Sequence, residues 1–231
     1  MRIAEIFASI QGEGILAGVP SLFVRTSGCN LRCVWCDTPY TSWQPEGEEM
    51  NLGPVIHKLR VGTAHIKHMV ITGGEPMIQH DIAIFTKNSR RSLRKHITIE
   101  TAGTVFLDDL ECDLMSISPK LANSTPHRRE GGKFALQHER LRYQPEVLKQ
   151  LMARYSYQLK FVVMYPEDME EILQIVEATA ADPERVLLMP EGIEEDMLRE
   201  RGKWVAELCR EHGFRFSPRL HIALWGNRRG V

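Results

Sequence analysis

The 231-residue chain lacks an excess of either charge: 29 lysines and arginines face 30 acids, for a formal net charge of -1. Phosphate recognition needs clustered cations, so this balance argues against a broad nucleic-acid-binding surface. The densest basic stretches, Lys87 to Lys95 and Arg128 to Lys133, read as a solvated helix face and an exposed loop. Long apolar runs are also missing. None approaches the roughly 20 residues of a membrane-spanning helix, and the N-terminus has no signal-peptide core. A cytoplasmic protein without a membrane partner is expected. Cysteine is scarce at five residues, three of them crowded between Cys29 and Cys36. That distribution does not make a disulfide framework and suits a reducing compartment. Cys112 and Cys209, isolated in sequence, read as ordinary buried thiols. No repeat, low-complexity tract or linker divides the chain, so residues 1–231 are expected to form a single domain.

Apolar and β-branched runs take turns with helical patterns. Strands are predicted at Ser21–Thr26, His68–Thr72, His96–Glu100, Leu114–Ser118, Gln158–Met164, Val186–Met189 and Phe214–Phe216, and an added one at Arg2–Phe7. Helices are predicted at Gly53–Arg60, Ile78–Leu93, Pro145–Tyr155, Pro166–Ala181 and Ile193–His212. Such alternation implies an α/β fold with a mostly parallel sheet. The strand-helix units fall short of the eight that close a full barrel, so an incomplete (β/α) barrel is expected. Ligands gather at the carboxyl ends of the strands in such sheets. The stretches CNLRCVWC, TGGEP, Glu100-Thr101, Ser118-Pro119-Lys120 and Met189-Pro190-Glu191-Gly192 all fall there. Pro119 to Gly132 reads as a long loop.

Cys29, Cys33 and Cys36 are spaced CxxxCxxC. Four-iron clusters usually take four thiolates, so three leave one iron open to a small molecule. Short cysteine spacings also serve structural zinc, with His65 or His68 available as a further ligand. In TGGEP, the glycine pair after an apolar strand lets backbone approach a ligand without a Cβ between them, although such pairs often mark a simple turn.

CxxxCxxC followed by Asp37-Thr38, with TGGEP after the next strand, resembles the radical S-adenosylmethionine (radical SAM) superfamily. The resemblance implies a 4Fe-4S cluster at the three cysteines. SAM is chelated to the open iron, and one electron cleaves it to a 5'-deoxyadenosyl radical. Glycyl-radical activating enzymes share these features and are one alternative; a nonenzymatic zinc module is another. The segment Glu5 to Thr38, with VITGGEP, IETAG, SISPK, LKFVV and RLHIALWGNRRGV, resembles the 7-carboxy-7-deazaguanine synthase family from end to end. Some members have an expanded first cysteine spacing, whereas this chain has the compact one.

The family resemblance implies a lyase of queuosine biosynthesis. It would contract the ring of 6-carboxy-5,6,7,8-tetrahydropterin to 7-carboxy-7-deazaguanine, release ammonia and regenerate SAM. It places substrate contacts on Ile10, Gln11, Gly12, Arg25 and Thr72, and a magnesium ligand on Thr38. SAM contacts fall on Gly74, Ser118, Pro119, Lys120 and Met189, Pro190, Glu191 and Gly192, with Glu100 and Thr101 near the ribose or methionyl group. Arg25 offers a planar fork for a carboxylate, or an ion pair with Glu13 at the barrel rim. Glu13 is a further acceptor for pterin N-H groups, or a solvated loop acid. His221 enters through the tail motif, while Val231 stays outside the expected site. Trp35 is expected to shield the cluster. No side chain stands out as a general acid or base. The resemblance also implies an external electron donor such as flavodoxin and a homodimer.

Overall fold

The computed structural model describes residues 1–231. In chain order its elements are β1 (Arg2–Ile10), β2 (Pro20–Thr26), α1 (Pro39–Ser42), β3 (Glu48–Glu49), α2 (Leu52–Arg60), β4 (His68–Gly73), α3 (Ile82–Leu93), β5 (His96–Thr101) and β6 (Leu114–Ile117). There follow α4 (Ala135–Arg142), α5 (Pro145–Arg154), β7 (Tyr157–Val163), α6 (Asp168–Thr179), β8 (Val186–Pro190), α7 (Glu195–His212), β9 (Arg215–Phe216) and α8 (Leu220–Trp225). All nine strands join one sheet in the order β3-β1-β2-β4-β5-β6-β7-β8-β9. From β2 to β9 every pairing is parallel, whereas β1 lies antiparallel to both β2 and β3. The edges β3 and β9 do not pair, so the sheet stays open as an incomplete barrel.

Burial explains why the central strands read as near-continuous apolar runs. Met69, Val70 and Ile71 of β4 are wholly inaccessible, as expected of parallel strands covered on both faces. The helices bury one stripe each. In α3 it is Ile82, Phe85, Thr86 and Ser89, and in α6 it is Met169, Ile172, Ile175 and Thr179, at the three- and four-residue spacing of one helix face. Phe85 and Phe161 are among the largest fully buried side chains, each stabilising the fold by about 1.5–3 kcal/mol.

Several boundaries move for identifiable reasons. The helix expected from Ile78 begins at Ile82. Pro76–Ile78 instead makes a separate 3-10 turn capped by Glu75, which accepts from Met77 N, and Gln79 is extended. Gly192, at φ +148°, delays α7 to Glu195, and Ala180, at φ +52°, ends α6 at Thr179. The loop expected from Pro119 to Gly132 holds 3-10 turns at Ala122–Ser124 and Arg129–Gly132. Helix α4 was not expected because it buries only His138 and so lacks an apolar stripe. No helix is long and apolar enough to cross a membrane.

Candidate active site

At the carboxyl end of the parallel sheet the strands surround a cavity of about 480 Å³. Its construction starts with the register of β2 and β4, which sets Arg25 beside Thr72 and Thr26 beside Gly73. Beyond that pair, Gly74 N donates to Thr26 O (3.1 Å), Glu75 N to Gly28 O (2.9 Å) and Gly28 N to Thr41 O (2.8 Å). The cysteine loop is thereby pinned between the β4 turn and α1. A Cβ on Gly73, at φ +129°, would stand 2.1 Å from Thr26 O, and one on Gly74 would stand 2.1 Å from Gly28 O. The glycine pair is required by this backbone approach as well as by any ligand. Glu75, fully buried, ties the next turn in place. It accepts from Met77 N (3.0 Å), Thr101 Oγ1 (2.8 Å) and Ala102 N (2.8 Å), and its burial still raises the carboxyl pKa.

Cys29, Cys33 and Cys36 all line the cavity. Burial pushes the Cys29 thiol up to about 12 and the Cys33 thiol higher still. Such thiols become thiolates when metal supplies the compensating charge. Leu31 N donates to Cys29 Sγ (3.4 Å), and Cys36 Sγ lies 3.1 Å from Ser42 Oγ. No three His, Cys, Asp or Glu side chains gather around a point that would hold a single ion. Three thiols facing one cavity but standing apart suit a cluster, whose cysteines bind different irons. The zinc alternative also loses its extra ligand. His68 sits at the start of β4, away from the TGGEP end, with its ring nitrogens 2.7 Å from Ser21 Oγ and 2.7 Å from Thr98 Oγ1. His65 lies further back along the same approach to β4. The donor set therefore fits a four-iron cluster.

An ion network, buried except at Asp37, lines the cavity. Arg219, from the turn before α8, binds Glu13 (3.1 Å), Asp37 and Gly192 O (2.5 Å), and Lys160 of β7 binds the other oxygen of Glu13. Burial alone would raise the Glu13 pKa, but Lys160 and Arg219 overcome it and hold the carboxyl well below the usual range. The Asp37 pKa is lowered too: partial desolvation would raise it, but Arg219 beside it outweighs that. Glu13 is thus neither a solvated loop acid nor the partner of Arg25. Arg25 Nε instead bonds Glu5 (3.1 Å), and the guanidinium lies 5.6 Å from the Phe7 ring centroid.

The expected substrate contacts Ile10, Gln11, Gly12, Glu13, Arg25, Thr72 and His221, with Thr38, all reach the cavity wall. Glu100 does too, and each of its oxygens accepts one bond: Gln11 Nε2 donates to one (3.0 Å) and Thr72 Oγ1 to the other (2.7 Å). Those bonds orient the two side chains. Of the expected SAM contacts, Gly74, Ser118, Lys120, Met189 and Glu191 line the cavity, whereas Pro119, Pro190 and Gly192 lie off its wall. Lys120 Nζ donates to Ser118 O (2.7 Å) and Oγ (2.8 Å), 5.9 Å from the Trp35 ring centroid. Glu191 is ion-paired to Arg201. Trp35 reaches the cavity as well, its Nε1 donating to Asn123 Oδ1 (3.2 Å).

The C-terminal segment closes one side. Leu220 N donates to Gly12 O (2.9 Å), and a Cβ on Gly12 would meet His221 Nδ1 at 1.9 Å. Burial lowers the His221 pKa against the pull of Glu13. Arg229 anchors the tail through Glu5 (2.5 Å), Glu46 (3.0 Å) and the Tyr40 ring, 3.8 Å away. Val231, expected outside the site, lines the cavity together with Asn227, Arg228 and Arg229. Lys160, Arg219 and the stacked pair Phe7 and Phe23, with centroids 4.9 Å apart, were also not anticipated. The inward alternation of β7 and the RLHIALWGN segment carried the only sequence signal for the two cations.

An open parallel barrel with a compact cysteine trio after its first parallel strand defines a radical SAM enzyme, and the Radical SAM superfamily model matches residues 23–142. A 7-carboxy-7-deazaguanine synthase from Halobacterium salinarum is 45% identical over 98% of this chain and 91% of its own length. One from Rhodopirellula baltica is 41% identical over 100% of this chain and 89% of its own. The chain belongs to the 7-carboxy-7-deazaguanine synthase family of the radical SAM superfamily. Membership implies a 4Fe-4S cluster and SAM, and separates the chain from the glycyl-radical activating enzymes. The fold is shared with QueE from Escherichia coli, at a TM-score of 0.67, 24% identity and 94% and 92% coverage of the two chains. It is shared more distantly with TYW1 bearing a lysine-pyruvate adduct, at a TM-score of 0.57, 14% identity and 81% and 73% coverage.

Proposed function

We propose that the chain converts 6-carboxy-5,6,7,8-tetrahydropterin to 7-carboxy-7-deazaguanine, releasing ammonia, and that residues 1–231 act as one catalytic domain. The observation that carries this reading is the meeting of the cysteine loop with Gln11, Arg25, Thr38, Thr72 and His221 around one cavity. Arg25 spends its Nε on Glu5, while its terminal nitrogens have no protein partner; their fork suits the pterin carboxylate. Gln11 is held at both ends, by Glu100 and by Glu13 N (3.2 Å), which presents the turn around Gly12 to the heterocycle's donor and acceptor edge. Thr38 faces the same space. Magnesium keeps waters and takes substrate oxygens, so one hydroxyl with the substrate carboxylate suits it.

When bound, the cluster and SAM supply the one-electron chemistry that removes hydrogen from C6 beside the carboxylate. The chain's own residues bind and orient. Arg25 fixes the carboxylate, Glu100 aligns Gln11 and Thr72, and the tail from Asn227 to Val231 excludes water. An external electron donor and a homodimer complete the proposal.

Isothermal titration of the SAM-loaded, magnesium-containing enzyme tests the substrate assignment. The carboxylated pterin is expected to bind at least about tenfold more tightly than the same ring without its carboxylate. The Arg25→Met variant should lose that preference while still binding the uncarboxylated ring. Equal binding of both pterins by the unmodified enzyme would overturn the assignment.

A further inference from the structure

Helix α4 buries no apolar side chain. Its one buried residue, His138 at 1% exposure, is spent on the loop that carries the cysteines. Arg32 N donates to His138 Nδ1 (3.0 Å), and His138 Nε2 lies 2.8 Å from Ser124 Oγ. A backbone N-H can only donate, so Nδ1 bears no proton and the neutral ring carries it on Nε2. Ser124 Oγ accepts that proton's bond and donates its own to Leu121 O (2.6 Å). The chain of bonds therefore runs one way, from the cysteine loop into the Ala122–Ser124 turn. Burial pushes the His138 pKa down to about 4, which keeps the ring neutral near neutral pH.

The same pair brackets Cys33. Arg32, before it, bonds His138, and Val34, after it, donates its N-H to Ser124 O (2.8 Å). Cys33 O accepts from Trp43 Nε1 (3.0 Å) and Cys36 N (3.2 Å), whereas Cys33 N meets no acceptor within the chain. Helix α4 is anchored from behind. Glu139 accepts from Thr125 Oγ1 and from Arg142 Nε (2.8 Å), and Arg142 also reaches Lys120 O (3.1 Å) and Glu171 of α6 (2.5 Å). Neither His138 nor Ser124 lines the cavity, so both act on it through the cysteine loop.

We propose that His138, with Ser124, is a positioning residue that fixes the Cys33 thiolate and thereby sets the reduction potential of the cluster. This rests on the reading of the chain as a cluster enzyme. Cluster potentials follow from hydrogen bonds to the sulfurs and from solvent exposure. With Arg32 N and Val34 N tied back into protein, Cys33 N is the donor left between them for a cluster sulfur. Without the imidazole, Arg32 N loses its acceptor and the loop turns until water meets it. Water near the cluster favours the reduced form, which carries one more negative charge than the oxidised one, so the potential rises.

The test is a mediated potentiometric titration of the reconstituted protein, with dithionite as reductant and electron paramagnetic resonance as readout. Asparagine sets its Oδ1 where histidine has Nδ1, and glutamine sets its amide nitrogen where histidine has Nε2. His138→Asn therefore keeps the acceptor for Arg32 N, His138→Gln keeps only the donor to Ser124, and His138→Leu keeps neither. At a potential that half-reduces the unmodified cluster, the reduced-to-oxidised ratio should rise at least about threefold in His138→Leu and His138→Gln, and stay within about 1.5-fold in His138→Asn. A side chain that merely filled space would leave the potential unmoved and would favour glutamine, the closer match to histidine in volume. If His138→Leu fails to hold iron, the comparison of asparagine with glutamine decides. An unshifted ratio in iron-loaded His138→Leu, a larger shift in His138→Asn than in His138→Gln, or loss of iron from His138→Asn as complete as from His138→Leu would overturn the proposal. Unmodified protein without iron and acid-labile sulfide would overturn the cluster reading itself, and the proposal with it.

Discussion

Replacing Arg219 by methionine removes the cation shared by Glu13 and Asp37 while keeping most of its bulk. Arg219 is 9% exposed and bonds both carboxylates and the Gly192 carbonyl. Breaking a buried ion pair from one side costs about 3–5 kcal/mol. Glu13 keeps Lys160, and the Asp37 side chain, at 39% exposed, can regain water; the low end, about 3 kcal/mol, is therefore expected. In a chain of this size that lowers Tm by roughly 6–12 °C, measured by anaerobic thermal melting of cluster-loaded protein. The pH dependence carries a sign. Glu13 titrates lower in the folded than in the unfolded chain, whose ordinary value is 4.5. At acid pH the unfolded state therefore binds more protons, and the stabilisation is present above that value and lost as pH falls below it. The variant should lose less stability over that acid range than the unmodified protein. Adding Glu13→Gln should cost at least about 1 kcal/mol less than the sum of the two single changes. A fall in Tm under about 2 °C, with strictly additive changes, would refute the network as a structural device.

Other consequences can be measured independently. Gly74→Ala sets a Cβ 2.1 Å from Gly28 O and 2.8 Å from Thr41 O; the cysteine loop should shift, and iron per chain after reconstitution should fall by more than about half. Gly12→Ala drives into His221 Nδ1 at 1.9 Å, so the α8 segment should lift, with faster proteolysis near the C-terminus and a raised KM at little cost in global stability. Glu100→Gln leaves either Gln11 or Thr72 without its acceptor; KM for the pterin should rise about tenfold, while iron content holds.

The parallel sheet was legible because its strands are buried on both faces and its helices bury one regular stripe. The same physics hid α4, whose one buried residue is a histidine bonded to Arg32 N (3.0 Å) and placed 2.8 Å from Ser124 Oγ. At the site, the cysteines and glycines were visible because their spacing is local. Lys160 and Arg219 were not, since each gains its meaning from Glu13, 147 and 206 residues away. Arg25 was recognised as a cation at the rim, but its partner, Glu5, follows from the antiparallel pairing of β1 with β2. Val231 returns to the cavity through the Arg229 anchor on Glu5, Glu46 and Tyr40, a route that composition and periodicity do not encode.

The central claim is tested most directly by anaerobic turnover. Reconstituted protein is incubated with SAM, magnesium, dithionite and 6-carboxy-5,6,7,8-tetrahydropterin, and products are followed by mass spectrometry. The account predicts 7-carboxy-7-deazaguanine in many-fold excess over any 5'-deoxyadenosine, the outcome expected if SAM acts as a cofactor and not as a co-substrate. Reductive cleavage of SAM with the pterin left unchanged would contradict it.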